Sequence, residues 1–212
     1  GTLAISGASM LVIEATGVTP EGRITHHDVG LYSDANEQAM ARVARYVRTI
    51  SPVRLGVQLS HAGRKASAER PWEGHGALNA ARGAWRTEAP SSVPLADGWP
   101  TPHALGHEEM ARIKRAFADA ARRAVRIGLD FIELHCTHGY LLSEFLSPLS
   151  NRRDDDYGGS LGNRMRFPLE VFEAVREAVP PGKPVGAKIS GTDFAPGGWT
   201  SDDAVVFARE LK

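Results

Sequence analysis

The chain has 212 residues, enough for a single domain with a substantial core. Its 25 basic residues balance 25 acidic ones, which removes the electrostatic footprint expected of a protein that binds nucleic acid or an anionic membrane. The lone cysteine, Cys136, excludes an internal disulfide and a multi-cysteine metal centre. No run approaches the ~20 apolar residues needed to span a bilayer, and Gly1 to Ile5 lacks the basic region of a signal peptide, so the expected location is cytoplasmic.

Met10 to Thr16 reads as a buried strand, followed by a segment rich in turn formers and histidine. The spacing of Ala39, Val43, Val47 and Ile50 predicts a helix over Asp34 to Ile50 with those residues on one face. Arg54 to Ser60 is a second strand, and Pro52 fits just before it. The forty or so residues that follow have no steady period. So long a loop suggests a binding excursion, which Trp72, Trp85 and Trp99 would anchor.

A helix is predicted over about Gly106 to Ile127, with Met110, Ile113, Phe117, Ala120 and Ala121 facing inward. A third strand, Phe131 to His135, follows directly, and then a polar loop. Ser160 can cap a helix containing Met165, Leu169, Phe172 and Val175, which Pro180-Pro181-Gly182 ends. Val185 to Ser190 is a fourth strand, and Thr200 or Ser201 can cap a last helix through Leu211.

Strands alternating with helices give the pattern of a parallel sheet. Each strand ends in a polar residue that a sheet core does not need: Glu14, Gln58, His135 and Lys188. Reactive groups gathered at C-terminal strand ends indicate the mouth of a (β/α) barrel. A nucleotide-binding Rossmann turn lacks support, because no Gly-x-Gly-x-x-Gly follows a candidate strand. A closed barrel takes ~250 residues and eight strands. The expectation is therefore an α/β fold, a TIM (β/α)8 barrel of which this chain is a partial segment.

No metal is expected: His135 and His138 flank Cys136 without the further ligands that zinc requires, and Cys136 itself reads as a small core residue. His61 and Arg64 read equally as substrate or subunit contacts and as loop structure. Asp154-Asp155-Asp156, beside Arg152 and Arg153, reads as a solvated, mutually paired loop.

Four blocks carry a resemblance: EATGVTPEGRIT from Glu14, GVQLSHAGRKA from Gly56, HCTHGYLLSEFLSPLSNRRDDDYGGSLGNRMRF from His135, and AKIS from Ala187. They resemble the Old Yellow Enzyme family of FMN-dependent NAD(P)H:flavin oxidoreductases and ene-reductases, nearest its thermophilic-like bacterial subgroup. The resemblance implies that residues 1–212 form a partial FMN-binding TIM-barrel domain, approximately strands two to five with their helices. It implies that Ala15 lies at the isoalloxazine edge and that Gln58 hydrogen-bonds the flavin pyrimidine. His135 and His138 would hold the oxygen of an enone or nitro compound, while Tyr140 lines the pocket and assists protonation.

NAD(P)H is the implied hydride donor and a small molecule the implied partner, with self-association left open. Lys188 stands where the family usually has an arginine beside the flavin; it keeps the charge and loses the planar fork of donors. Thr137 replaces a usual alanine and Gly162 a common glutamate. The family's first strand, and strands six to eight with their phosphate site, have no counterpart here, so this segment alone is expected to bind FMN poorly. Two other roles stay open: a barrel module of a larger flavoprotein reductase or monooxygenase acting on unsaturated or aromatic acyl-CoA, and a non-catalytic partial barrel serving assembly.

Overall fold

A computed structural model describes residues 1–74 and 76–212. Its centre is a four-stranded sheet, β1 (Met10–Gly17), β2 (Arg54–Ser60), β5 (Phe131–Cys136) and β6 (Val185–Ile189), side by side in that order and all parallel. Helices connect them: α1 (Asp34–Ile50) joins β1 to β2, α2 (His107–Ile127) leads into β5, and α3 (Leu141–Leu146) and α4 (Leu161–Ala178) lie between β5 and β6. A last helix, α5 (Ser201–Glu210), follows β6. Sequential parallel strands with helical crossovers are the architecture of part of a (β/α)8-type barrel, as expected.

The two faces of the sheet are chemically distinct because side chains alternate along each strand. Val57, Leu59, Ile132 and Leu134 are fully buried in one core with Ile113, Phe117 and Ala121 of α2 and Val171 of α4. Burial of each such large side chain contributes about 1.5–3 kcal/mol. The other face carries Val12, Gly56 and Phe131, the Gln58, Glu133 and Gly186 row, and then His135 and Lys188. Phe131 spreads across both neighbouring strands: a Cβ built on Gly56 or on Gly186 would come within 3.1 Å of its ring. This is a close approach that glycine permits.

The α2 face is as predicted, with Met110, Ile113, Phe117, Ala120 and Ala121 all buried. Two expectations about the helices and strands of the sheet layer need correction. The buried face of α1 consists of Met40, Ala44 and Val47, whereas Val43 is 60% exposed. Glu37 lies on the same side of the helix as 40, 44 and 47, and Arg123 and Arg126 of α2 hold its carboxylate at 2.7–2.8 Å. Strand β1 is not a buried strand. It is an edge strand of the sheet, paired along its length with β2 and bridged to Gly30 at Gly17, and Met10 and Val12 are 45% and 41% exposed.

The long excursion after β2 is ordered. Within it β3 (Glu88–Ala89) pairs in parallel with β4 (His103–Ala104), and Arg112 of α2 donates to buried Glu88 at 2.5 Å. Trp85 anchors the excursion by donating Nε1–H to the Glu21 carbonyl at 2.9 Å, with Arg23 over its ring. Trp72 does not anchor it; its ring is 77% exposed and meets the Arg70 guanidinium. The segment after β5 is not wholly a polar loop, since residues 141–146 form α3 with every side chain buried. Thr200 caps α5 and Ser160 caps α4, each hydroxyl accepting a backbone N–H of the first turn. Among the described residues no helix is long and apolar enough to cross a membrane.

Candidate active site

His135 is the last polar-face residue of β5, paired in register with Lys188 of β6. A turn then carries His138 and Tyr140 back over it. The His135 ring centroid lies 5.1 Å from that of His138 and 4.7 Å from that of Tyr140, all edge-on. Three polar rings predicted from sequence as one constellation are thus brought together at the C-terminal end of the sheet. His138 adopts a left-handed backbone (φ +61°), and Gly139 follows at +68°.

His135 is buried, and its Nδ1 has no hydrogen-bond partner among the described residues. Burial, helped by the positive fields of His138, Lys188 and Lys65, pulls its pKa down to about 4. The His138 imidazole is held below its usual value by burial and by Lys188 and Lys65. Both rings are therefore neutral near pH 7, and each retains one N–H to donate. Burial raises the Tyr140 phenol, with Asp28 and Glu14 adding to the effect, so the hydroxyl keeps its proton.

Gln58 stands one strand away, its Nε2–H donating to Glu133 at 2.5 Å. The carboxylate only accepts, so it orients the amide and leaves Oε1 as an acceptor without a protein partner among the described residues. Ala15 sits at a register irregularity between Ile13 and Thr16 of β1. It lines a cavity of about 700 Å³ together with Glu14, Lys65, Trp99 and Tyr140. Gln58, His135, His138 and Lys188 do not line this cavity; they stand on the neighbouring strand rows and turn, and Tyr140 joins the two groups. A flat heteroaromatic ring with a polar edge suits these strand ends. Gln58 Oε1 could accept from a ring N–H, Lys188 could face an electron-rich edge, and Ala15 offers only a methyl to the flank. The orphaned His135 Nδ1 is the kind of buried polar atom that a ligand satisfies.

Some candidates lie elsewhere. His61 is buried beside Glu88, 3.4 Å away, and its Nδ1 accepts the Gly63 N–H; Arg64 donates to the Val93 and Pro94 carbonyls at 3.2 Å. Both make contacts that hold their loop. Cys136 is 1% exposed with its thiol pKa pushed up by burial, an inert core residue as read. Asp155 pairs with Arg153 at 2.5 Å, but the pair is not simply solvated: Arg153 also reaches the Pro90 and Leu105 carbonyls and is largely buried. Sequence reasoning did not assign site roles to Glu133 and Lys65. Glu133 carried a signal, two residues before His135 on one face, whereas Lys65 reaches the site only through tertiary structure.

The chain matches the NADH:flavin oxidoreductase / NADH oxidase family over residues 3–212. It is 42% identical over 209 residues to an NADPH dehydrogenase of Geobacillus thermodenitrificans, covering 99% of this chain and 56% of that protein. A morphinone reductase solved in complex with tetrahydroNAD superposes with a TM-score of 0.79 at 31% identity, over 95% of this chain and 57% of that one. A 2-naphthoyl-CoA reductase shares the fold, with a TM-score of 0.83 at 23% identity over 95% of this chain and 31% of that one. The chain spans about half the length of the curated relatives it matches. With the match running through every strand and through the turn that carries the three rings, the chain belongs to the NADH:flavin oxidoreductase / NADH oxidase family, that of the Old Yellow Enzymes.

Proposed function

We propose that this chain forms the substrate-binding part of an FMN-dependent oxidoreductase that uses NAD(P)H to reduce an activated alkene such as an α,β-unsaturated carbonyl compound. Residues 1–212 would be a partial FMN-binding barrel domain of the thermophilic-like bacterial subgroup; the 42% identity to the Geobacillus protein supports the family part of this reading. The observation that carries the reading is the cluster of two neutral imidazoles and a protonated phenol, with ring centroids 4.7–6.5 Å apart at one strand end.

FMN, when bound, supplies the two-electron chemistry that links the nicotinamide to the alkene. Gln58, oriented by Glu133, would accept a hydrogen bond from its pyrimidine edge, Lys188 would lie beside it, and Ala15 would leave room at its flank. His135 and His138 would donate N–H to the substrate's carbonyl oxygen. Charge builds on that oxygen as the β-carbon is reduced, so these hydrogen bonds strengthen towards the transition state. Their neutrality matters: the donors are ready near pH 7 without the cost of burying a cation. Tyr140, poised 4.7 Å from His135 between ring centroids, would deliver a proton to the α-carbon and complete the saturated product.

The test is a two-stage anaerobic experiment on the intact protein. NADH or NADPH is used to reduce the flavin, and cyclohex-2-enone is then added. Recovery of the oxidised absorbance with formation of cyclohexanone is the expected result. A reduced flavin that stays bleached after the enone is added, and regains colour only when oxygen is then admitted, would refute the substrate class.

A further inference from the structure

We propose that Lys65 is a positioning residue, clamping the turn that presents His138 and Tyr140 to the substrate. The inference rests on the reading of these rings as an oxygen-binding site. Lys65 Nζ donates to the His138 carbonyl at 2.6 Å from a loop more than seventy residues away in sequence. The residue it holds is one whose left-handed backbone is unfavourable for any side chain bearing a Cβ. Such a conformation persists where the surroundings impose it.

The geometry around the lysine is built for this contact. A Cβ on Gly139 would come within 3.1 Å of Lys65 Cε and 3.2 Å of Nζ, so glycine leaves the path to the carbonyl open. The ammonium also lies 5.8 Å from the Tyr140 ring centroid. The backbone leading into the lysine is fixed at two points. The Arg64 N–H donates to buried Glu144 of α3 at 2.9 Å, and the Leu141 N–H donates to the His61 carbonyl at 2.9 Å. The lysine loop and the histidine turn are thus joined at three points, and Lys65 is the one that reaches the strained residues themselves. Small displacements of such rings are enough to lose productive alignment.

The test uses the intact flavoprotein and two probes, the anion 4-nitrophenolate and the neutral cyclohex-2-enone. Lys65→Met keeps the aliphatic stem and removes the donor. It is expected to weaken nitrophenolate binding, read from the flavin absorbance, by about tenfold, and to raise KM for the enone by a similar factor with FMN content unchanged. Lys65→Arg, which restores a cationic donor, is expected to recover both to within about threefold of wild type. Unchanged binding of both probes in Lys65→Met overturns the proposal. So does a loss confined to the anion, which would make Lys65 a direct ligand contact. A wild-type protein that holds FMN but responds to neither probe overturns the oxygen-site reading beneath it.

Discussion

Replacing His135 by leucine should separate activity from stability. The imidazole is 3% exposed, and its buried Nδ1 finds no partner among the described residues, so the folded protein carries an unsatisfied polar atom of a kind that costs about 1–3 kcal/mol. Leucine removes that cost in a well-enclosed position. Depression of the pKa to about 4 adds a pH-dependent effect. Between pH 6.5 and 4 the unfolded chain binds a proton at this histidine that the folded chain refuses, so wild-type stability rises with pH across that window. At pH 4 the accumulated penalty is about 3 kcal/mol, and the variant escapes it.

Activity moves the opposite way. Loss of one preorganised donor to a developing oxyanion costs about 2.7–4 kcal/mol, or 10²–10³ in rate. Urea unfolding of the intact protein at several pH values, alongside stopped-flow reoxidation by cyclohex-2-enone, measures both. His135→Leu should be at least as stable as wild type at pH 7, gain relative stability towards pH 4, and reduce the enone at least a hundredfold more slowly. Parallel pH–stability curves, or an enone rate within about threefold of wild type, would refute the reasoning.

Tyr140→Phe should slow enone reduction by about 10²-fold while leaving nitrophenolate affinity within a few-fold, as measured by flavin absorbance; equal losses in both would make the phenol a binding group rather than a proton donor. Lys188→Arg keeps the positive charge on the row of His135 and should retain FMN, and flavin quantification after gel filtration would contradict this by finding an apoprotein. Glu144 is 1% exposed, and burial, opposed by the Arg64 N–H and the Arg64 and Lys65 charges, raises its carboxyl pKa to about 8. The folded chain then holds a proton that the unfolded chain releases above pH ~4.5, so this group's contribution to stability is lost as pH rises from there through 8. Glu144→Gln mimics the protonated acid, and its urea midpoint should gain on wild type between pH 5 and 8; a constant difference would show that Glu144 is ionised in the fold.

What could be read from the sequence depended on whether local spacing or distant partners set each feature. The α2 face was legible because Met110, Ile113, Phe117 and Ala121 stand at helical intervals with charged residues between them. The α1 face was not, because two apolar stripes fit its sequence and the choice between them is made by packing of Met40, Ala44 and Val47 in the folded core. Helix α3 was missed since Ser143 and Glu144 give residues 141–146 a polar look; the fold buries that glutamate and satisfies one oxygen with a backbone N–H eighty residues away.

The same division applies to the site. His135, His138 and Tyr140 lie within six residues of one another, so a single strand end and its turn bring them together. Gln58 and Lys188 could be placed beside them once the strands were taken as parallel and successive. Lys65 and Glu133 act through contacts with His138 and Gln58 that only the folded register creates. The exposure of Met10 and Val12 on β1 was not legible because an apolar run reveals hydrophobicity but not which side of the sheet is covered.

The claim on which the account turns is that these strand ends face an FMN ring. Its most direct test is the absorption spectrum of the intact protein, recorded anaerobically before and after addition of NADH or NADPH. The account predicts a flavin spectrum that bleaches on reduction, and it predicts that Gln58→Leu loses flavin on dilution. A colourless protein that fails to take up added FMN would contradict it, as would bound flavin indifferent to Gln58.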